Sequence, residues 1–292
     1  MNKRFILAVS LMTVAIISLQ SCRKNDDKAD TQEVITSAED NSTVETEFTS
    51  AFDVADDISS NDSRSRGSNT ILPGGAILNF SDSSFNDGDG IEFSVDFGPL
   101  GTSVPKGMVC NDGRYRAGVL HFTATKRYSV DSAIITAEAS ASDNYYAGNG
   151  DIMTKLSGMI TITRLSAVGV NVKVTNAKAI NDRGTITWQS NRTIVKTFGA
   201  NTPGILNDEF EVTGSASGVN RNNEAFTVTI DKALKKRVSA GCASTFISGR
   251  LTLTNTSSGK VLKIEYDPYS NEACDKVAKA TINNKEYIFI VR

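Results

Sequence analysis

The chain has 292 residues with a single histidine, four cysteines, 7% aromatic residues and a formal net charge of −2. So small a charge gives no electrostatic case for nucleic-acid binding. One histidine excludes His-rich zinc sites and argues against Ser–His or Cys–His nucleophilic catalysis.

The N-terminus has three parts. Lys3 and Arg4 precede an apolar run from Phe5 to Leu19, interrupted by Ser10, Thr13 and Ser18, and Leu19-Gln20-Ser21-Cys22 closes it. A basic start, a short apolar stretch and a small residue before the cut make a secretory signal. The run falls short of the roughly 20 residues that a bilayer span needs. A cysteine directly after the small residue predicts a lipoprotein. Residues 1–21 are then the signal peptide, and Cys22 is the first mature residue, acylated with palmitate-type chains. Gln20 stands where a small or aliphatic residue is commoner. Acyl chains contribute about 0.8 kcal/mol per buried methylene, so a triacylated cysteine is a stable membrane anchor.

Residues 22–75 read as an acidic tether with one short helix. Residues 22–62 carry 12 acids against Arg23, Lys24 and Lys28, the composition of a solvated spacer. Residues 23–40 are the flexible part. Val44, Phe48, Phe52, Ala55 and Ile58 recur at spacings of four and three, which predicts a helix over 42–58 with Ser42-Thr43-Val44-Glu45 as its capping box. Its apolar stripe is expected to pack on the following domain and its acidic face to meet water. Residues 59–75, rich in Ser, Asn and Gly, form a second linker.

From Ala76 to the C-terminus the pattern has period two. Ile91–Phe97, Met159–Thr163, Val170–Val174 and Phe226–Ile230 alternate apolar with polar residues. Ser257-Ser258-Gly259 and Asn283-Asn284 separate such runs as hairpin turns do. The reading is an all-β domain over 76–292, built of successive antiparallel hairpins, some 13 to 16 strands, in a sandwich or one long curled sheet. Thr, Lys and Asn at the alternate positions predict that one sheet face is wet.

A search for chemistry finds little, and no catalytic residue, cofactor or metal site is assigned. His121 lies in a strand and reads as structural. Gly214-Ser215-Ala216-Ser217-Gly218 has Ala216 where a nucleophile elbow needs serine. Asp87-Gly88-Asp89-Gly90 fails as a calcium loop, with Phe85 at the first ligand position and Asp96 at the last, and reads as a turn. Sugar binding needs aromatic platforms; Trp188 and Tyr266 are the candidates, with Tyr145, Tyr146 and Tyr269 behind them. Asp131-Ser132-Ala133 has the form of a short O-glycosylation motif.

Cys110, Cys242 and Cys274 remain beyond the anchor, in a compartment that permits disulfides. Cys242 precedes, and Cys274 follows, a hairpin of residues 246–254 and 260–266. A hairpin brings its ends together, which predicts a Cys242–Cys274 disulfide and a free Cys110; pairing of Cys110 with either is the alternative.

Several ordered segments extend over roughly two thirds of the chain: Asp96-Phe97-Gly98, Cys110 to Gly118, Val174-Thr175-Asn176, Gly184 to Trp188, Gly214 to Gly218, Cys242 with Ser248-Gly249, and Cys274-Asp275. Together they resemble a group of uncharacterised Bacteroidetes lipoproteins. Tyr269 to Ala273 departs from the glycine-rich stretch expected there, and Asn283-Asn284 from the usual Asn-Gly. The resemblance implies a β-rich envelope lipoprotein and supplies no active-site residues. Arg23 to Asp27 looks like the short Lys/acidic signal that sends such lipoproteins to the cell surface. The expectation is a non-enzymatic structural or adhesive protein, anchored in the outer membrane through the lipid on Cys22 and facing the cell surface, with a surface glycan or protein as partner. The alternative is a glycan-binding module for polysaccharide capture.

Overall fold

The computed structural model describes residues 25–60, 70–202, 205–239, 241–242 and 245–290. One helix, α1 (Asn25–Ser60), precedes sixteen strands. These are β1 (Ile77–Asp82), β2 (Ile91–Asp96), β3 (Met108–Val109), β4 (Tyr115–Ala117), β5 (Val119–Ala124), β6 (Ile134–Ala139), β7 (Tyr146–Gly148) and β8 (Met153–Arg164) in the first half. The second half holds β9 (Gly169–Asn181), β10 (Gly184–Phe198), β11 (Glu209–Val219), β12 (Ala225–Arg237), β13 (Phe246–Asn255), β14 (Val261–Glu265), β15 (Val277–Ile282) and β16 (Lys285–Ile290).

All sixteen belong to one antiparallel sheet, in the order β1-β2-β5-β6-β8 and then consecutively to β16. The sequence left open a sandwich or a single sheet, and the structure is the single sheet. A short ladder β3-β4-β7 joins the N-terminal half of β8, whose C-terminal half pairs with β6. Among the described residues, β1 and β16 each pair along one side, so the sheet is open.

The alternation that predicts the strands also fixes which residues face inward. In β10, Ile186, Trp188, Ser190, Arg192 and Ile194 are buried, while the residues between them lie at or near the surface. Glycines at bulges bend the long strands. Gly158 sits at the register shift between β8 and β9 with φ +132°, and a Cβ there would stand 2.8 Å from the Ala177 Cα. Gly214, with φ +120°, marks the shift between β11 and β12, and its Cβ would stand 2.2 Å from the Asn191 carbonyl oxygen. A bulge adds a residue to one strand, bends it and increases its twist.

The curled sheet surrounds α1. Strands from both halves of the sheet, β6, β7, β8, β10, β13 and β14, contact it. Every residue from Ser50 to Ile58 is buried, whereas a helix lying on one face of a sheet would expose part of each turn. Three expectations are corrected here. The helix starts at Asn25, so residues 25–40 are helical rather than a flexible tether. Ser42 is buried in mid-helix and caps nothing. The acidic face is enclosed, with Asp40, Glu45, Glu47, Asp53, Asp56 and Asp57 all buried. Thr, Ser and Asp are middling helix formers because their side chains compete for backbone hydrogen bonds. Thr43 and Thr49 donate to the carbonyls of Glu39 and Glu45 at 2.9 and 2.6 Å. Enclosure by the sheet, rather than intrinsic propensity, holds α1 helical.

Candidate functional site

The carboxylates of α1 meet cations and hydrogen-bond donors from the concave face of the sheet. At the N-terminal end, Asn220 donates to the Ser37 hydroxyl at 2.9 Å, and the Arg221 backbone N–H donates to Asp40 at 2.8 Å. The Arg221 guanidinium also pairs with Glu39 and Asp40. Further along, the Trp188 indole N–H donates to Asn41 at 3.2 Å. Arg192 holds Glu45 by two bonds, Nε to Oε1 at 3.0 Å and Nη2 to Oε2 at 2.5 Å. Arg114 pairs with Glu47, Arg116 donates to the Ser50 hydroxyl at 2.6 Å, and Lys236 pairs with Asp53. The Tyr128 hydroxyl donates to Asp56, and Asp57 accepts from the Thr70 hydroxyl at 2.5 Å and the Ile71 N–H at 2.9 Å.

Burial controls how these groups titrate. It pushes Asp53 above the usual carboxylate range and Lys236 below the usual ammonium range, each opposed by the other's charge. Burial also raises Asp40 against the pull of Arg221, and Asp208 against that of Lys196. Asp112 goes the other way: burial disfavours its charge, but the Arg116 guanidinium, 2.8 Å away, outweighs that and holds its carboxyl low. Such buried pairs add little net stability but are costly to break singly. Those made by α1 therefore set its depth and rotation, since turning the helix by one residue would leave each of them unmatched.

Beyond the paired region, at the C-terminal end of α1, a cavity of about 620 Å³ lies between the helix and the sheet. Ile58 and Ser59 of α1, the β5–β6 loop with Lys126 to Ser129, the β8–β9 turn with Ala167 and Val168, and Ala200 and Thr202 surround its mouth. Phe52, Phe93, Ile135, Val170, Ile194 and Phe210 line its inner wall. Among the described residues, four cationic side chains line it, Lys126, Arg127, Arg164 and Lys196, against one carboxylate, that of Asp56. Lys196 is held by Asp208 at 2.5 Å and Asp56 at 3.9 Å. Arg164 donates to the Ala167 carbonyl and lies 4.7 Å over the Tyr128 ring, and its Nε is buried without an acceptor.

The residues singled out from sequence fall elsewhere. Trp188 is buried, stacked on Phe48 with centroids 5.9 Å apart, and Tyr266 is buried edge-on to Phe246 at 5.4 Å. Neither presents a ring face to a sugar; both are core residues facing α1, as is Tyr145, whose burial pushes its hydroxyl up to about 12. Tyr269 is exposed. His121 is exposed on β5, 3.4 Å from Asp143. Asp87 and Asp89, on the β1–β2 turn, come within 4.8 Å of Asp82, offering oxygen ligands on an exposed loop. Asp87 and Asp89 hydrogen-bond to each other, which lowers the first and raises the second.

Cys242 and Cys274 are joined, with Cα atoms 5.0 Å apart, and Cys110 is free and buried. Cys22 lies outside the described residues. Sequence reasoning missed the inward cations. A parity signal was present: Arg192 shares its strand face with Ile186, Trp188 and Ile194, and Lys236 with Leu234.

Among the described residues, no helix is long and apolar enough to cross a membrane. Comparison with family models, curated proteins and solved structures finds no match.

Proposed function

We propose that this chain is a lipid-anchored envelope protein of the outer membrane, with its β-rich body facing the cell surface in a non-enzymatic, structural or adhesive role. The observation that carries the reading is the basic and apolar leader ending in Leu19-Gln20-Ser21-Cys22. The likeness to Bacteroidetes lipoproteins points the same way. The position of α1 adds to it. The helix begins three residues after Cys22 and runs into the body. A lipid on Cys22 would thus be joined to the fold through a helix of 36 residues, about 54 Å long at ~1.5 Å per residue. The cavity lies at the far end of that helix, away from the anchor. Capture of a surface glycan through Trp188 and Tyr266 is not proposed, because both rings are enclosed.

The test is metabolic fatty-acid labelling of the wild-type chain and of Cys22→Ser. The variant is expected to accumulate as an unlabelled precursor. Label that persists in it would overturn the reading.

A further inference from the structure

We infer that the cavity at the C-terminal end of α1 binds a single-chain amphiphile with an anionic head, a carboxylate or phosphate on an alkyl tail. Its volume of about 620 Å³ falls inside the roughly 300–1,000 Å³ typical of small-molecule sites. Two features of its walls must be satisfied together. Over an inner wall that is already buried, the partly exposed Phe85, Ile91 and Val168 gain by excluding water and ask for a tail. Among the described residues of the lining, Lys126 and Arg164 are cations without a carboxylate partner, which asks for a negative head.

The cations differ in availability. Lys196 is already engaged by two carboxylates. Arg164 has no carboxylate partner among the described residues, and its buried Nε lacks an acceptor. A buried donor left unmade is a standing cost that an anionic oxygen removes. Lys126 is exposed and has no ion-pair partner among the described residues. Arg164 and Lys126 therefore form the head-group end of the site. A neutral lipid would leave the Arg164 Nε without an acceptor, and a bare anion would leave Phe85, Ile91 and Val168 wet. An amphiphile meets both demands.

The test is calorimetric titration of the chain from Arg23 onward, which holds every described element. The titrants are decanoate and decyl phosphate, with decanol, acetate and inorganic phosphate as comparators. One molecule of anionic amphiphile should bind per chain, at least tenfold more tightly than decanol, while acetate and inorganic phosphate do not saturate. Binding of decanoate alone would make the head a carboxylate, of decyl phosphate alone a phosphate; either outcome supports the site. Arg164→Gln should weaken the anions at least tenfold and leave decanol unchanged. Lys126→Gln, at an exposed position, should weaken them in the same sense. Val168→Trp, also at an exposed position of the mouth, should weaken all three alkyl ligands with the melting temperature unaltered. Decanol binding as tightly as the anions, no amphiphile binding, or anion binding unaffected by these substitutions would each overturn the assignment.

Discussion

Glu45 of α1 and Arg192 of β10 form a two-pronged ion pair sealed inside the curled sheet, with bonds of 3.0 and 2.5 Å and both side chains almost fully buried. The two residues lie 147 positions apart in the chain. Removing one partner strands the other charge. Glu45→Ala should cost about 3–5 kcal/mol, whereas Glu45→Leu combined with Arg192→Met should recover most of it, because paired desolvation offsets the Coulomb gain. Urea unfolding of the three chains decides; a double variant as unstable as Glu45→Ala would contradict this account.

Asp112 and Arg116 form another enclosed pair, with both side chains at 0% exposure. Asp112 is held below its ordinary value of 3.8 in the fold. A carboxyl with a lowered folded pKa stabilises above its unfolded pKa, and that contribution is lost as pH falls through the folded value. Asp112→Asn should therefore cost about 3–5 kcal/mol at neutral pH. The gap to wild type should narrow below the carboxylate range, where protonated Asp112 also leaves Arg116 without a counter-charge. Unfolding titrations at pH 7 and pH 3 measure it, and a gap that stays constant would refute the pairing.

The Cys242–Cys274 disulfide, of sequence separation 32, ties the loop before β13 to the one before β15. Chain entropy rates a loop of that size at about 3–4 kcal/mol. Replacing both cysteines by serine should lower stability by that order. A non-reducing peptide map should show this cross-link and a free Cys110; a cross-link through Cys110 would exclude the assignment.

Gly158 is where β8 bends over β9. An added Cβ would meet the Ala177 Cα at 2.8 Å with φ at +132°, a backbone region that L side chains rarely adopt. Gly158→Ala should destabilise by about 1–3 kcal/mol. Thermal unfolding checks it, and an unchanged melting temperature would mean the bulge relaxes freely.

Surface exposure of the proposed anchor form has its own test. Replacing Arg23 to Asp27 by alanine should reduce protease access to the protein on intact cells. Absence of access in wild-type cells would place the body on the periplasmic side.

The β-architecture was legible in the sequence because period-two alternation is a local property. It marks strands and their inward residues wherever a sheet has one buried face, so Ile91–Phe97 and Phe226–Ile230 announce themselves. The disulfide was legible too, since a hairpin delivers its flanks to one place whatever the remaining fold. The helix was legible in part: the Val44-Phe48-Phe52 stripe gave its presence but neither its start nor its surroundings.

What only the tertiary structure decided is the fate of the charges. Twelve acids over residues 22–62 read as a solvated segment, because an unpaired carboxylate cannot be buried. Whether it finds a cationic partner depends on residues 67 to 183 positions away in the chain. Arg192, Arg116 and Lys236 sit on inward positions, yet strand parity alone does not say that an acidic helix lies opposite. The same holds for Trp188 and Tyr266. An aromatic ring on a strand is a sugar platform or a core residue according to which face is covered, and α1, wrapped in the sheet, covers theirs. Local pattern thus determined the strands, while the enclosure of the helix, a property of the whole sheet, determined the core, its ion pairs and the cavity at its end.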